Sequence, residues 1–144
     1  MSIISRNQLL VPLLAVIAVA MAPLAARAST PGDISPSQVL NSSPLWADAK
    51  SYHACNVVNV TTSSEAISIE IIGSDGTVLA TSGSTAITVS SGTSVEISNG
   101  AAYTGFAHCR VTLYYGSNTI RANLTVFHAN TDGSYQTYAV SEAR

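Results

Sequence analysis

Basic side chains are scarce in this sequence. Lys50 is the single lysine, and only five arginines accompany it. Downstream of residue 28, four basic residues stand against all eight carboxylates, which gives that part a formal charge of 4 − 8 = −4. Because phosphate contacts supply most of the affinity for nucleic acids, such a surface matches DNA, RNA and anionic membranes poorly. We therefore expect no nucleic-acid partner and no membrane partner.

The sequence also lacks the short motifs of common hydrolases. It contains no Gly-x-Ser-x-Gly elbow, no Asp-x-Asp pair and no His-Glu-x-x-His motif. Glu70 and Glu96 offer a carboxylate pair for glycoside cleavage. Outward carboxylates on separate hairpins are more commonly solvated charges, so we expect no enzymatic activity, no catalytic residue and no cofactor.

The N-terminus has no charge over a long stretch. Arg6 is followed by the 18-residue run 9–26, which has no charged residue and leads into the small-x-small sequence Ala-Arg-Ala at 26–28. Those are the three parts of a secretory signal peptide. Pro12 and Pro23 interrupt the run and argue against a membrane-spanning helix, which needs about 20 apolar residues. We predict a cleaved signal peptide over residues 1–28 and a secreted or periplasmic protein.

Cysteine is rare as well, since Cys55 and Cys109 are the only two. Their neighbours His53 and His108 raise the alternative of a metal site. On a strand, residues two apart share a face, whereas the adjacent His108 and Cys109 point to opposite faces. An oxidising compartment favours a disulfide, which leaves no thiolate for a metal. We predict a Cys55–Cys109 disulfide and no metal site.

Serine and threonine are abundant, at 33 of the 116 residues downstream of residue 28. With Val, Ile and Tyr in short alternating runs, this composition favours strands over helices. Residues 29–50 lack a sustained period, so they are interpreted as an extended lead-in with one helical turn near 37–40. Leu45 and Trp46 are expected to dock onto a β-domain that spans residues 51–144.

Eight strands are the simplest interpretation of the domain: residues 52–61, 66–72, 77–81, 86–90, 93–98, 106–115, 119–129 and 134–140. Turn residues between consecutive strands predict four hairpins. They join 66–72 to 77–81, 86–90 to 93–98, 106–115 to 119–129, and 119–129 to 134–140. In the sixth and seventh strands, every apolar residue of one face would meet another. Opposing inner faces are needed to bury this much Val, Ile and Leu. We predict an all-β, two-sheet antiparallel sandwich, immunoglobulin-like in outline, with the disulfide between the sheets.

Three segments carry a resemblance to known proteins. They read Cys-Asn-Val-Val-Asn-Val at 55–60, His-Cys-Arg-Val-Thr at 108–112 and Thr-Ile-Arg-Ala-Asn-Leu-Thr-Val at 119–126. They resemble a loose group of small uncharacterised exported bacterial β-sandwich proteins, over about residues 52–144. The resemblance implies a bacterial secreted sandwich and supplies no catalytic or binding residue.

One surface patch is predicted from the same strand pairing. If Thr131 pairs with Ser134, Phe127 lies opposite Tyr138, and His108 joins them across three strands. Tyr114 and Arg121 lie farther along the same predicted face: the candidate patch is His108, Tyr114, Arg121, Phe127 and Tyr138. Exposed aromatic side chains stack on sugars or seat a protein partner.

These observations lead to three hypotheses of function. The first is a secreted non-enzymatic binding module for a protein or a glycan, acting through a sheet face or an edge strand. The second is a pilus or surface-fibre subunit, in which the lead-in completes a neighbour's sheet by strand donation. The third is a small secreted enzyme or inhibitor.

Overall fold

The computed structural model describes residues 35–100, 103–116 and 118–144, so the predicted signal peptide lies outside the described residues. The described chain is all-β, as predicted, with ten strands where eight were expected. The strands are β1 Gln38–Asn41, β2 Leu45–Ala47, β3 Ser51–Asn59, β4 Glu65–Gly73, β5 Val78–Thr81, β6 Ile87–Val89, β7 Ser94–Ser98, β8 Gly105–Leu113, β9 Ile120–Ala129 and β10 Tyr135–Ala143.

The strands form two antiparallel sheets, as predicted. In the first, called sheet 1, β4 and β8 pair with each other at the centre. β1 and β2 pair with the other side of β8, and β5 and β6 pair with the other side of β4. The second, called sheet 2, has the order β10-β9-β3-β7. The strands whose inward residues are almost all buried, β3, β4, β8 and β9, lie in the middle of the sheets.

The core lies between the two sheets, because alternate residues of the central strands point inward. The inward side chains of β4 are Ile67, Ile69 and Ile71, each fully buried, and Leu113 and Leu124 are buried on β8 and β9. The disulfide between Cys55 on β3 and Cys109 on β8 joins the sheets, with 5.7 Å between the two Cα atoms. The predicted disulfide is confirmed.

The predicted hairpin between residues 106–115 and 119–129 is wrong. β8 pairs with β4 in sheet 1, and β9 pairs with β3 in sheet 2, so the chain crosses between the sheets at 114–119. The hairpin of residues 86–90 with 93–98 is wrong for the same reason, because β6 pairs with β4 and β7 with β3. An alternating strand buries the same side chains in either arrangement, so the pattern cannot separate a hairpin from a crossing.

The hairpins β4–β5 and β9–β10 are confirmed. The register of the second differs from the prediction by one residue, because Phe127 pairs with Thr137 and not with Tyr138. The amide of Asn130 bonds to the carbonyl of Ser134, which leaves a three-residue loop ending in Gly133 at φ 82°. Glycine adopts that left-handed conformation without strain. The dipeptide Asp132-Gly133 predicted a two-residue loop instead.

The part of the lead-in from Gln38 to Ala47 belongs to the sandwich, and the expected helical turn at 37–40 is wrong. β1 and β2 provide the outer pairing of β8, so the domain begins before residue 51. Ser42 fixes this segment, since its amide donates to the Cys109 carbonyl and its hydroxyl accepts the Cys109 N–H. Of the two residues expected to dock, Leu45 packs against the core, whereas Trp46 is 46% exposed.

Candidate binding face

The predicted surface patch is divided between the two sheets. His108 and Tyr114 lie on the outer face of sheet 1, whereas Arg121, Phe127 and Tyr138 belong to sheet 2. The five residues therefore do not form one patch, and the prediction is wrong on this point. The prediction fails because the chain crosses between the sheets from β8 to β9. The residues of β8 and β9 that were expected to be neighbours therefore lie on opposite sides of the core.

Sheet 2 carries an aromatic cluster on its outer face. Tyr52 stacks on Phe127 with ring centroids 5.3 Å apart, and Tyr135 meets Tyr52 edge-on at 5.3 Å. Burial raises the pKa of Tyr52, and the charge of Glu96 acts in the same direction. Tyr52 was missed because β3, and not β8, is the true neighbour of β9. Tyr135 was missed because the register of β9 with β10 differs from the prediction by one residue. Tyr52 and Phe127 are partly buried where they stack, whereas Tyr135 is 57% exposed.

The outer face of sheet 1 is organised along β8. Its alternate residues point outward in one row: Phe106, His108, Arg110, Thr112 and, just beyond the strand, Tyr114. The amide of Tyr114 donates to the carbonyl of Ala66, so the ladder with β4 extends to it. At the strand rise, this row is roughly 27 Å long. We call it the β8 row.

One end of the β8 row is apolar and exposed. Trp46 on β2 pairs in register with Phe106, and the two side chains are 46% and 52% exposed. A hollow of about 460 Å³ opens beside them, lined by Pro44, Ser74, Phe106, Ala107 and His108. Large aromatic side chains at this exposure offer flat apolar surface to a ligand.

The centre and the other end of the row are polar. Arg110 lies opposite Glu70 on β4 and donates from Nη2 at 2.6 Å and from Nε at 2.8 Å, both to Oε2. Among the described residues, Glu70 Oε1 and Arg110 Nη1 have no hydrogen-bond partner. The hydroxyls of Ser68 and Tyr114 lie 3.3 Å apart. A second hollow, of about 440 Å³, is lined by Pro36, Val39, Ser68, Glu70, Thr81, Gly83, Ser84, Arg110, Thr112 and Tyr114.

The two carboxylates considered for glycoside cleavage are far apart in the fold. Glu70 is on the outer face of sheet 1, and Glu96 on β7 lies opposite Asn56 on the outer face of sheet 2. The core separates them, so they cannot flank one substrate bond as paired glycosidase carboxylates do. Across residues 35–100, 103–116 and 118–144, no cluster of three or more His, Cys, Asp or Glu side chains could hold a metal ion.

Comparison with known proteins yields a likeness of fold. A crystal structure of Thermotoga maritima 1070 matches with a TM-score of 0.52 at 8% sequence identity, over 76% of this chain and 94% of that one. No family model and no curated protein matches the chain. Within the described part of the chain, no helix is long and apolar enough to cross a membrane.

Proposed function

We propose that this protein is a secreted, non-enzymatic binding module that holds a neutral glycan chain along the β8 row. The observation that carries the proposal is the order of groups on one face: two exposed aromatic rings, then an Arg–Glu pair, then a series of hydroxyls. The row and its two hollows have the extended shape of an oligosaccharide. Their volumes fall in the usual range of ligand sites, about 300–1,000 Å³.

Sugar chemistry fits the aromatic end and the centre of the row. The C–H face of a pyranose is apolar and packs flat on an aromatic ring, as at Trp46 and Phe106. Its neighbouring hydroxyls each donate and accept, and they match the free Oε1 of Glu70 and the free Nη1 of Arg110. Because Arg110 and Glu70 neutralise each other, the site favours an uncharged ligand over a phosphate or a sulfate.

The aromatic end gives the first prediction. Replacing both Trp46 and Phe106 by alanine is expected to weaken glycan binding about tenfold or more, since stacked rings contribute about 0.5–1.5 kcal/mol each beyond buried area. Both side chains are about half exposed, so the fold should persist. Binding of the purified protein to β-glucan, mannan and xylan is measured by titration, with alginate as the anionic comparison.

Tyr138→Ala is the matched control, because Tyr138 is a 66% exposed aromatic residue of sheet 2. This variant should bind as the wild type does. An equal loss in the control, or no binding to any neutral polysaccharide, would contradict the proposal. Preferential binding to alginate would contradict the assignment of an uncharged ligand.

Export is the second prediction. A disulfide fits an oxidising compartment, which supports the signal peptide expected at residues 1–28. When the full chain is expressed in a bacterium, the first residue of the mature protein is expected to be Ser29. Edman sequencing of the protein recovered from the periplasm or medium measures it. Recovery of the uncleaved chain from the membrane fraction would contradict cleavage.

A second candidate is a pilus or surface-fibre subunit that assembles by strand donation. The observation that favours it is the position of the lead-in, because β1 and β2 form an edge of sheet 1. The same segment of a neighbouring copy would find the same hydrogen bonds on β8. This candidate requires a series of multimers in light scattering, and a protein that never exceeds a dimer would contradict it.

A further inference from the structure

His53 is a buried titratable residue beside the aromatic end of the β8 row. Its side chain is fully buried on β3, and its Nε2 lies 2.9 Å from the Leu45 carbonyl. Because a carbonyl only accepts, Nε2 carries the proton of the neutral ring and donates it, which leaves a lone pair on Nδ1. Leu45 precedes Trp46 on β2, so this bond ties sheet 2 to the strand that carries one ring of the proposed site.

Tyr103 connects His53 to the second ring of the site. The ring centroids of His53 and Tyr103 are 6.1 Å apart, and the Tyr103 hydroxyl donates to the Phe106 carbonyl over 3.2 Å. Two neighbours of His53, Leu45 and Tyr103, are therefore directly joined to the residues that carry the rings, Trp46 and Phe106. β2 is a weak cover for a buried group, because it has three residues and pairs with β8 alone.

A proton added to Nδ1 would find no acceptor. Among the described residues, Nδ1 of His53 has no hydrogen-bond partner. The side-chain oxygen of Asn99 already accepts the His53 N–H over 2.9 Å, and Nδ2 of Asn99 is itself a buried donor without a partner. An imidazolium here would be a buried and unpaired charge, which is strongly unfavourable. His53 therefore takes up a second proton most readily when its cover opens to water.

The charged groups around His53 do not offset such a proton. β2 has no titratable side chain, and Tyr103 faces the ring from the segment before β8. Asp48 and His128 pair with each other at 3.6 Å, and Lys50 is exposed. Burial lowers the pKa of His53, and the bond from Nε2 opposes the shift, with no contribution from a charge. The folded state therefore keeps this ring neutral.

We propose that proton uptake by His53 in mildly acidic solution opens β2 and the segment at Tyr103, and so releases the glycan from the β8 row. This regulation rests on the proposed function, because it acts through the two rings of that site. The opened state exposes His53 to water and binds the proton with ordinary affinity, whereas the closed state excludes it. Each pH unit below the ordinary histidine pKa of 6.5 therefore favours opening by up to about tenfold. Above that pH neither state holds the proton, and the site stays closed.

Hydrogen exchange of the purified protein tests the opening without any ligand. Cys109 exchanges hydrogen bonds with Ser42, so by alternation Ala107 exchanges its own with Leu45 on the same side of β8. After correction for intrinsic rates, the amides of Leu45 and Ala107 are expected to lose protection by up to about tenfold per pH unit below 6.5. In His53→Gln, whose amide can donate to Leu45 but does not titrate, their protection should change by less than about twofold.

Added urea separates local opening from unfolding of the whole domain. The amides of Glu70 and Arg110 lie in the central ladder of β4 with β8 and exchange through global unfolding, so urea should speed their exchange. Local opening exposes little surface, so urea should barely change the exchange of Leu45 and Ala107. Protection of these two amides that does not depend on pH, that follows urea as Glu70 does, or that falls equally in His53→Gln would overturn the proposal.

Glycan titration at pH 7.5 and at pH 5.0 tests the release itself. The wild type is expected to bind at least about threefold more weakly at pH 5.0, because the competent state is less populated, whereas His53→Gln should bind equally at both. Trp46 is the single tryptophan of the chain, so its fluorescence follows the titration at one ring of the site. An unchanged affinity of the wild type would overturn the release. Absence of binding at pH 7.5 would contradict the proposed function instead, and the exchange measurements would still decide whether His53 controls the opening.

Discussion

Removing the Cys55–Cys109 bond is expected to lower the free energy of unfolding by about 4 kcal/mol. The two cysteines are 54 residues apart, and the bond restricts a long loop of the unfolded chain. Both side chains are fully buried between the sheets, where β3 and β8 have no shared hydrogen-bond ladder. For a domain whose whole stability is about 5–15 kcal/mol, this is a large share. Urea unfolding of the Cys55→Ala, Cys109→Ala double variant measures it.

The single variants show whether the loss comes from the cross-link or from packing. Either substitution alone removes the bond, so Cys55→Ala and Cys109→Ala should each cost nearly as much as the double variant. Additive losses would indicate that buried sulfur atoms, and not the cross-link, supply the stability. A double variant within about 1 kcal/mol of the wild type would contradict the prediction.

The folded state is expected to lose stability as the pH falls below 6.5, because of His53. This side chain is fully buried on β3, and its Nε2 lies 2.9 Å from the Leu45 carbonyl, to which it donates. Among the described residues Nδ1 has no hydrogen-bond partner, and the ring of Tyr103 lies 6.1 Å away. Burial lowers the pKa of His53, although the bond to Leu45 opposes the shift. The folded protein therefore binds this proton less readily than the unfolded chain.

The direction follows from that difference in proton binding. Above the ordinary histidine pKa of 6.5, neither state holds the proton, and His53 does not make stability depend on pH. Below it, the unfolded chain takes up the proton first, so the free energy of unfolding falls by about 1.4 kcal/mol per pH unit. The fall ends once the pH passes the lowered pKa of the folded state.

Urea unfolding between pH 7.5 and 4.5 measures this slope, and His53→Gln is the matched control. The glutamine amide can donate to Leu45 in place of Nε2 but does not titrate, so its slope in this range should be much smaller. Hydrogen bonds lower the pKa of Asp48, Asp75 and Asp132, whose effect is confined to acid nearer their ordinary value of 3.8. Equal slopes for the wild type and His53→Gln would contradict the prediction.

The faces of the central strands could be predicted from the sequence. Ile67, Ile69 and Ile71 alternate with polar residues, and all three are buried as the period of two requires. The disulfide followed from the number of cysteines and the expected compartment. These features depend on local alternation and on covalent chemistry, which do not change with the neighbour a strand selects.

The candidate site could not be predicted, because a face is built from several strands. Trp46 was assigned to a lead-in outside the domain, and the predicted hairpin placed Arg110 beside residues 119–129, whereas its partner is Glu70 on β4. Phe106, His108, Arg110 and Tyr114 share a face by their spacing alone, and that part of the row was visible in the sequence. The residues that flank the row belong to β2 and β4, which pair with β8 although they are distant from it in the sequence.

The sequence by itself determined which side of each central strand is buried, the class of fold and the bond between Cys55 and Cys109. Only the tertiary structure decided which strands are neighbours, that the chain crosses between sheets after β8, and that the segment from Gln38 to Ala47 belongs to sheet 1. The physical reason is that burial is set by each residue's own side chain. Strand pairing is a choice among backbone partners whose hydrogen bonds are nearly identical, and it is settled by how the whole core packs.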